Sequence, residues 1–139
     1  MSLPVGFRAL PVSVTQLSLE TVLACGQSFR WFKHALPLES PTGPTHEYRF
    51  ALRDRVVRLR QTSDNLLWSS QPDRDDTVDW LRDYFQLDVD LEKLYIEWAK
   101  RDTVFDTLVK DRFRGLRMLR QDPWENLMSC VAHSCPWLI

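Results

Sequence analysis

The stretch Tyr48-Arg49-Phe50-Ala51-Leu52-Arg53-Asp54-Arg55-Val56-Val57-Arg58-Leu59-Arg60-Gln61 decides the fold class. Residues 48–52 alternate apolar with polar or small side chains, the period of a strand that buries one face. Arg53-Asp54 supplies a turn, and in Arg55 to Gln61 the apolar Val57 and Leu59 again share a face. Upstream, Phe29-Arg30-Trp31-Phe32-Lys33 is aromatic and roughly alternating, and Pro37 to Thr45, with three prolines and a glycine, reads as a loop. Downstream, a turn at Ser63-Asp64-Asn65 leads into Leu66-Leu67-Trp68. Strands joined by such short turns make an antiparallel meander.

Past Pro72 the apolar period becomes helical. Asp75 or Asp76 can cap a helix that carries Val78, Leu81 and Phe85. Asp90 can cap the next, where Leu91, Leu94, Tyr95 and Trp98 follow i, i+3, i+4, i+7 spacing. Asp102 opens a third, with Phe105, Leu108 and Val109 inward. The strongest start is Asp122-Pro123-Trp124-Glu125, which has an acidic cap, proline at the first helical position and glutamate three residues after the cap. Aromatics at helical spacing read as core rather than as a binding platform. The expected fold class is α+β, an antiparallel sheet covered by helices on one side.

A chain of 139 residues, 44% hydrophobic and 12% aromatic, suits one globular unit and excludes a disordered chain. No apolar run approaches the roughly 20 residues of a membrane-spanning helix. The first residues lack a signal-peptide pattern; they are acid-free up to Glu20, but one arginine, Arg8, is poor support for a transit peptide. Three cysteines, an odd count, argue against a disulfide framework. Cys130, His133 and Cys135 lie close together, yet zinc sites take four ligands and no second pair is present, so no metal is expected. The formal net charge of −1 is not the footprint of a self-sufficient DNA binder. Basic residues do cluster, at Arg53, Arg55, Arg58 and Arg60 and at Lys110, Arg112, Arg114, Arg117 and Arg120, and each cluster reads as a solvated face.

Three ordered segments carry a resemblance. Gly26-Gln27-Ser28-Phe29-Arg30-Trp31, then Asp83-Tyr84-Phe85-Gln86-Leu87-Asp88 with the helix after it, and then Gly115 to Glu125 (GLRMLRQDPWE) resemble the eukaryotic-type 8-oxoguanine DNA glycosylases in order and spacing. The likeness covers roughly residues 13 to 131. It implies a twisted, TATA-binding-protein-like antiparallel sheet packed with helices, followed by the first helix of a helical domain. The implied division is a flexible N-terminus over 1–12, the α+β domain over 13–114 and the start of the helical glycosylase domain over 115–139.

The resemblance also implies a site. Such enzymes flip the damaged nucleotide out of the duplex into a pocket. The backbone carbonyl at the position of Gly26 would accept a hydrogen bond from N7–H of 8-oxoguanine, where guanine offers only an acceptor. Gln27, Ser28 and Phe29 would support it. Read without the family, Gly26 simply ends a short helix over Leu19 to Cys25, and both readings can hold together. The family's nucleophilic lysine and its aspartate lie after a helix–hairpin–helix with a G-x-G turn. The glycines here are Gly6, Gly26, Gly43 and Gly115 and the lysines Lys33, Lys93, Lys100 and Lys110, so neither catalytic residue maps onto this chain. Similarity lapses near Val131, and the apolar Trp137-Leu138-Ile139 ending after Pro136 reads as a chain cut short.

The expected function is therefore the N-terminal part of an 8-oxoguanine DNA N-glycosylase and β-elimination lyase of base-excision repair, inactive by itself. Its implied partner is damaged double-stranded DNA through the longer parent, with no cofactor, metal, membrane or oligomer. The implied location is the nucleus, with the mitochondrion as the less supported alternative. Two other readings stand beside it. One is a non-catalytic DNA- or protein-binding module. The other is a poorly folded product that exposes Trp124, Leu127 and Trp137.

Overall fold

The alternation over residues 46–71 becomes three strands of seven residues each, β3 (His46–Leu52), β4 (Arg55–Gln61) and β5 (Asn65–Gln71). A computed structural model describes residues 3–37, 43–111 and 113–134 of the chain. The other two strands are β1 (Arg8–Pro11) and β2 (Phe32–Ala35). All pairings are antiparallel in the order β1-β5-β4-β3-β2, so the meander runs β2 to β5 and β1 is added at its far edge. Five helices follow or intervene: α1 (Leu19–Ala24), α2 (Thr77–Tyr84), α3 (Leu91–Ala99), α4 (Thr103–Asp111) and α5 (Pro123–Ser134).

Period-2 geometry sorts the sheet into two unlike faces. Tyr48, Val57, Leu59, Leu66 and Trp68 meet Leu19 and Val22 of α1, Leu81 and Tyr84 of α2, and Phe85 in one core cluster. The expected α+β sheet with helices on one side is what forms. The opposite face carries Arg49, Arg58 and Arg60 around Glu47, which is 1% exposed. Arg49 Nε donates to Glu47 Oε1 at 2.7 Å and Arg60 Nε to Oε2 at 2.8 Å. Burial pushes the Glu47 carboxyl up, but these hydrogen bonds and charges outweigh it and hold the group below the usual carboxylate range.

Several expectations need correction. Residues 1–12 were expected to lie outside the fold, yet Arg8–Pro11 pairs with β5, from Arg8↔Trp68 to Pro11↔Asn65. Four residues ending in proline leave no readable alternation. The aromatic run Phe29–Lys33 is not a strand as a whole: pairing starts at Phe32, because Trp31 is drawn into ring contact with Phe50 at 4.9 Å. β5 runs on past Trp68 because its serines find partners, Ser69 Oγ from Arg58 Nε and Ser70 Oγ from the Arg74 amide. The acidic caps hold at Asp90, Asp102 and Asp122, whose carboxylates accept helix amides. Asp76 makes no such bond; its carboxylate pairs with Arg55 instead. On the helices Trp98 and Leu108 stay exposed, against the expectation of core.

Residues 115–121, expected to open a second domain, are bound into the first. Gly115 takes φ +71°, and a Cβ there would sit 2.2 Å from the Val14 carbonyl oxygen and 2.5 Å from the Ser18 amide. Arg117, expected on a solvated face, is 5% exposed. Its guanidinium donates to the Gln16 carbonyl and side chain, to the Gln86 carbonyl at 2.7 Å and to the Val89 carbonyl at 2.8 Å. Burial lowers its pKa, opposed by Tyr95 and Asp90. Leu119 enters the core, and the Arg120 amide donates to the Tyr84 carbonyl at 2.9 Å.

Two outcomes follow from these contacts. Gly115→Ala combines left-handed strain with a backbone overlap, so it should cost about 3 kcal/mol and lower the thermal midpoint by roughly 10 °C in a circular-dichroism melt. Gly6→Ala, also at positive φ but with nothing within 4 Å of the added Cβ, should cost about 1 kcal/mol. Glu47→Gln should cost about 2 kcal/mol at neutral pH by leaving two arginines short of their acceptor. Because the folded carboxyl is held low, its contribution is complete above the unfolded pKa and is lost as pH falls through the folded one. Urea titrations at falling pH should therefore show the gap between wild type and Glu47→Gln closing below pH of about 4.5.

Candidate functional site

The six residues from Gly26 to Trp31 fold into a corner between α1 and β2. Ser18 caps α1, accepting from the Thr21 amide at 3.3 Å, and Cys25 ends it. Gly26 then takes φ +84°, the left-handed position at which a helix commonly stops on glycine. It is exposed, and a Cβ there would meet nothing within 4 Å. Glycine is thus required by φ, and the space beside it is open to an incoming group.

Gln27 is fixed on every side. Its Nε2 donates to the Arg117 carbonyl at 2.7 Å and to Cys25 Sγ at 3.1 Å, while its Oε1 accepts from the Leu119 amide at 2.9 Å. Its own carbonyl accepts from Gln121 Nε2 at 2.5 Å. Ser28 is buried beside the Tyr84 hydroxyl, with its Oγ outside hydrogen-bond geometry. Phe29 is half exposed. Arg30 pairs with Glu125 at 2.5 Å, donates to the Ala51 carbonyl and lies 4.6 Å from the Phe50 ring centroid. Trp31 Nε1 donates to the Tyr84 hydroxyl at 3.1 Å. Burial raises the Tyr84 pKa, opposed by the neighbouring Ser28 hydroxyl and by the bond from Trp31.

The second segment joins the same corner. Gln86, at φ +51°, donates through Nε2 to the Met118 carbonyl at 2.8 Å while its carbonyl receives Arg117. The three segments singled out in the sequence, 26–31, 83–88 and 115–125, therefore converge in space. Gln27 and Gln86 bind the third segment, Trp31 binds the second and Arg30 reaches α5.

Beside this corner opens a cleft of about 620 Å³, lined by Arg30, Phe50, Trp80, Tyr84, Arg120 and Glu125 among others. Its floor is aromatic, with Trp80 stacked on Phe50 at 5.5 Å and on Tyr84 at 4.8 Å. Several of its rim charges are paired, Arg30 with Glu125, Arg55 with Asp76 and Arg120 with Asp83. Sequence reasoning missed this cleft, since its walls come from four separate segments with no shared pattern. No lysine among the described residues lines it. Lys33 instead pairs with Glu20 at 3.2 Å. Among the described residues no group of histidine, cysteine and carboxylate side chains is placed to hold a metal. Cys130 is a free, exposed thiol, while the His133 side chain and Cys135 lie outside the described residues.

Comparison with known proteins fits this arrangement. The family described as "8-oxoguanine DNA glycosylase, N-terminal domain" matches residues 9–127. An N-glycosylase/DNA lyase of Saccharomyces cerevisiae is 33% identical over 92% of this chain, and N-glycosylase/DNA lyase OGG1 of Arabidopsis thaliana is 29% identical over 90%. The chain spans about a third of each relative, 34% and 33%. A solved structure of MBOgg1 in complex with a low-affinity DNA ligand superposes with TM-score 0.72 at 26% identity, covering 95% of this chain and 41% of that one. The apo 8-oxoguanine glycosylase/lyase of Clostridium acetobutylicum gives TM-score 0.67 at 25% identity, covering 86% and 38%. With the family's model matched over most of its length, this chain belongs to the 8-oxoguanine DNA glycosylase N-terminal domain family.

Proposed function

We propose that this chain supplies one wall of an 8-oxoguanine pocket and contacts to damaged duplex DNA, without the groups that cleave the glycosidic bond. The observation that carries the reading is the corner itself. Gly26 stands exposed with open space at its α-carbon, while the next residue, Gln27, is held by bonds to residues 117, 119 and 121. A carbonyl held in that way is a fixed acceptor, and a fixed acceptor discriminates between a base that donates at N7 and one that does not. Phe29, half exposed two residues on, offers an aromatic face close to the same opening.

Catalysis needs a nucleophile that this site does not hold. Attack at C1′ by an amine requires a lysine near the flipped sugar, and among the described residues no lysine lines the cleft. Borohydride trapping on a duplex with 8-oxoguanine opposite cytosine should give no covalent adduct with this chain, while the S. cerevisiae relative serves as positive control. An adduct on any lysine here would overturn the reading. Recognition is tested separately in a chimera in which this chain replaces the matching third of that relative. Gly26→Ala should reduce its preference for lesion-containing over normal duplex by about tenfold, a loss of about 1.4 kcal/mol. An unchanged preference would remove Gly26 from recognition.

A further inference from the structure

We propose that the outer face of the sheet, opposite the core, binds single-stranded nucleic acid. Phe32, Arg49 and Arg58 lie in one cross-strand row, Phe32↔Arg49 and Arg49↔Arg58 being direct partners. Two arginines directly opposite each other repel, and a sheet normally places an acid between them. Here Glu47 is the one acid that the strands present on this face, and both its oxygens are taken, Oε1 by Arg49 and Oε2 by Arg60. Arg58 has no acidic partner among the described residues; its Nε donates to Ser69 Oγ.

The guanidiniums are also held in place. Those of Arg58 and Arg60 lie 5.5 and 4.5 Å from the centroid of the Phe7 ring, which the N-terminal segment lays on this face. Three cations around one buried carboxylate are complementary to an anion that brings its own oxygens. The described part of that N-terminal segment, residues 3–7, contains no acid.

The row selects the kind of anion. Phe32 is 66% exposed at the end of the row, beside Arg49. The flanking positions Ala51 and Val56 carry small or short side chains that leave the row accessible. A single strand can stack a base on Phe32 while its phosphates meet Arg49 and Arg58. A duplex would present phosphates alone and leave Phe32 unused, and an acidic peptide has no ring to stack.

Fluorescence anisotropy of a labelled oligothymidylate of about 12 nucleotides, titrated with salt against the 139-residue chain, tests this. Each phosphate contact adds about 0.7 to the log–log salt slope for a single strand. Arg58→Gln, which leaves the Glu47 bonds intact, should reduce the slope by about 0.7, and Arg49→Gln with Arg58→Gln by about 1.4. Phe32→Ala should weaken binding about tenfold without changing the slope. Arg82→Gln with Arg101→Gln removes equal charge elsewhere and should leave affinity and slope unchanged. No measurable binding by the wild type, an unchanged slope in folded Arg58→Gln, equal loss in the control pair, or binding to duplex or polyglutamate that matches the oligothymidylate would each overturn the proposal.

Discussion

The α-carbon of Gly115 lies so close to the Val14 carbonyl and the Ser18 amide that no side chain fits, and the arrangement of the candidate site depends on that approach. The Ser18 amide donates to the Gly115 carbonyl at 2.9 Å, which brings residues 115–121 alongside the start of α1. Arg117 can then reach three loop carbonyls, and Gln27 can close its bonds to residues 117 and 119. A buried guanidinium that meets only neutral oxygens is costly unless its donors are satisfied, and the bonds to Gln16, Gln86 and Val89 meet that condition. Gln27 suits its place because an amide both donates to a carbonyl and accepts from an amide. Ionised glutamate would lose the donor half.

The sheet was legible in the sequence because its period is enforced by burial. β4 has the expected bounds, and the acidic caps of α3, α4 and α5 fall on the aspartates that the pattern marked. What escaped has a common physical origin. β1, the early end of the Phe29–Lys33 run and the burial of Arg117 are all decided by partners far away in the sequence, to which local periodicity is blind. The family resemblance marked three segments that meet in the fold without saying why they meet. That reason is geometric: Gln27 is within hydrogen-bond reach of residues 117, 119 and 121 at once. Of the residues it marked, Gly26 and Phe29 face solvent, and Gln27 and Ser28 face inward. The cleft had no sequence signal, since Arg30, Trp80 and Glu125 carry no common spacing.

The net charge of −1 was the strongest sequence argument against a nucleic-acid role, and the fold shows why a total misleads. Asp73 and Asp75 face Arg8, Asp54 and Asp76 face Arg55, Asp83 faces Arg120 and Glu125 faces Arg30. These acids sit on turns and helices with arginines at their sides, where the charges cancel locally. The sheet's outer face stands apart from them. Long-range attraction depends on how charge is distributed, and a neutral sum is compatible with a basic face.

The core and that basic face arise from one feature of the sequence. Tyr48, Phe50, Val57 and Leu59 must point to one side if the sheet is to bury them, and the pleat then sends Arg49, Arg58 and Arg60 to the other. Neither set could move alone, because a slip of one residue would bury three guanidiniums and expose the core. Arg55 proves the rule from the opposite parity: it shares the side of Val57, its side chain is 10% exposed, and it is tolerated there because Asp54 and Asp76 meet it at the sheet's end. Arginine clustering in this segment is therefore two populations read as one. Those out of phase with the apolar residues line the outer face around Glu47, and the one in phase is committed to Asp54 and Asp76 at the sheet's end.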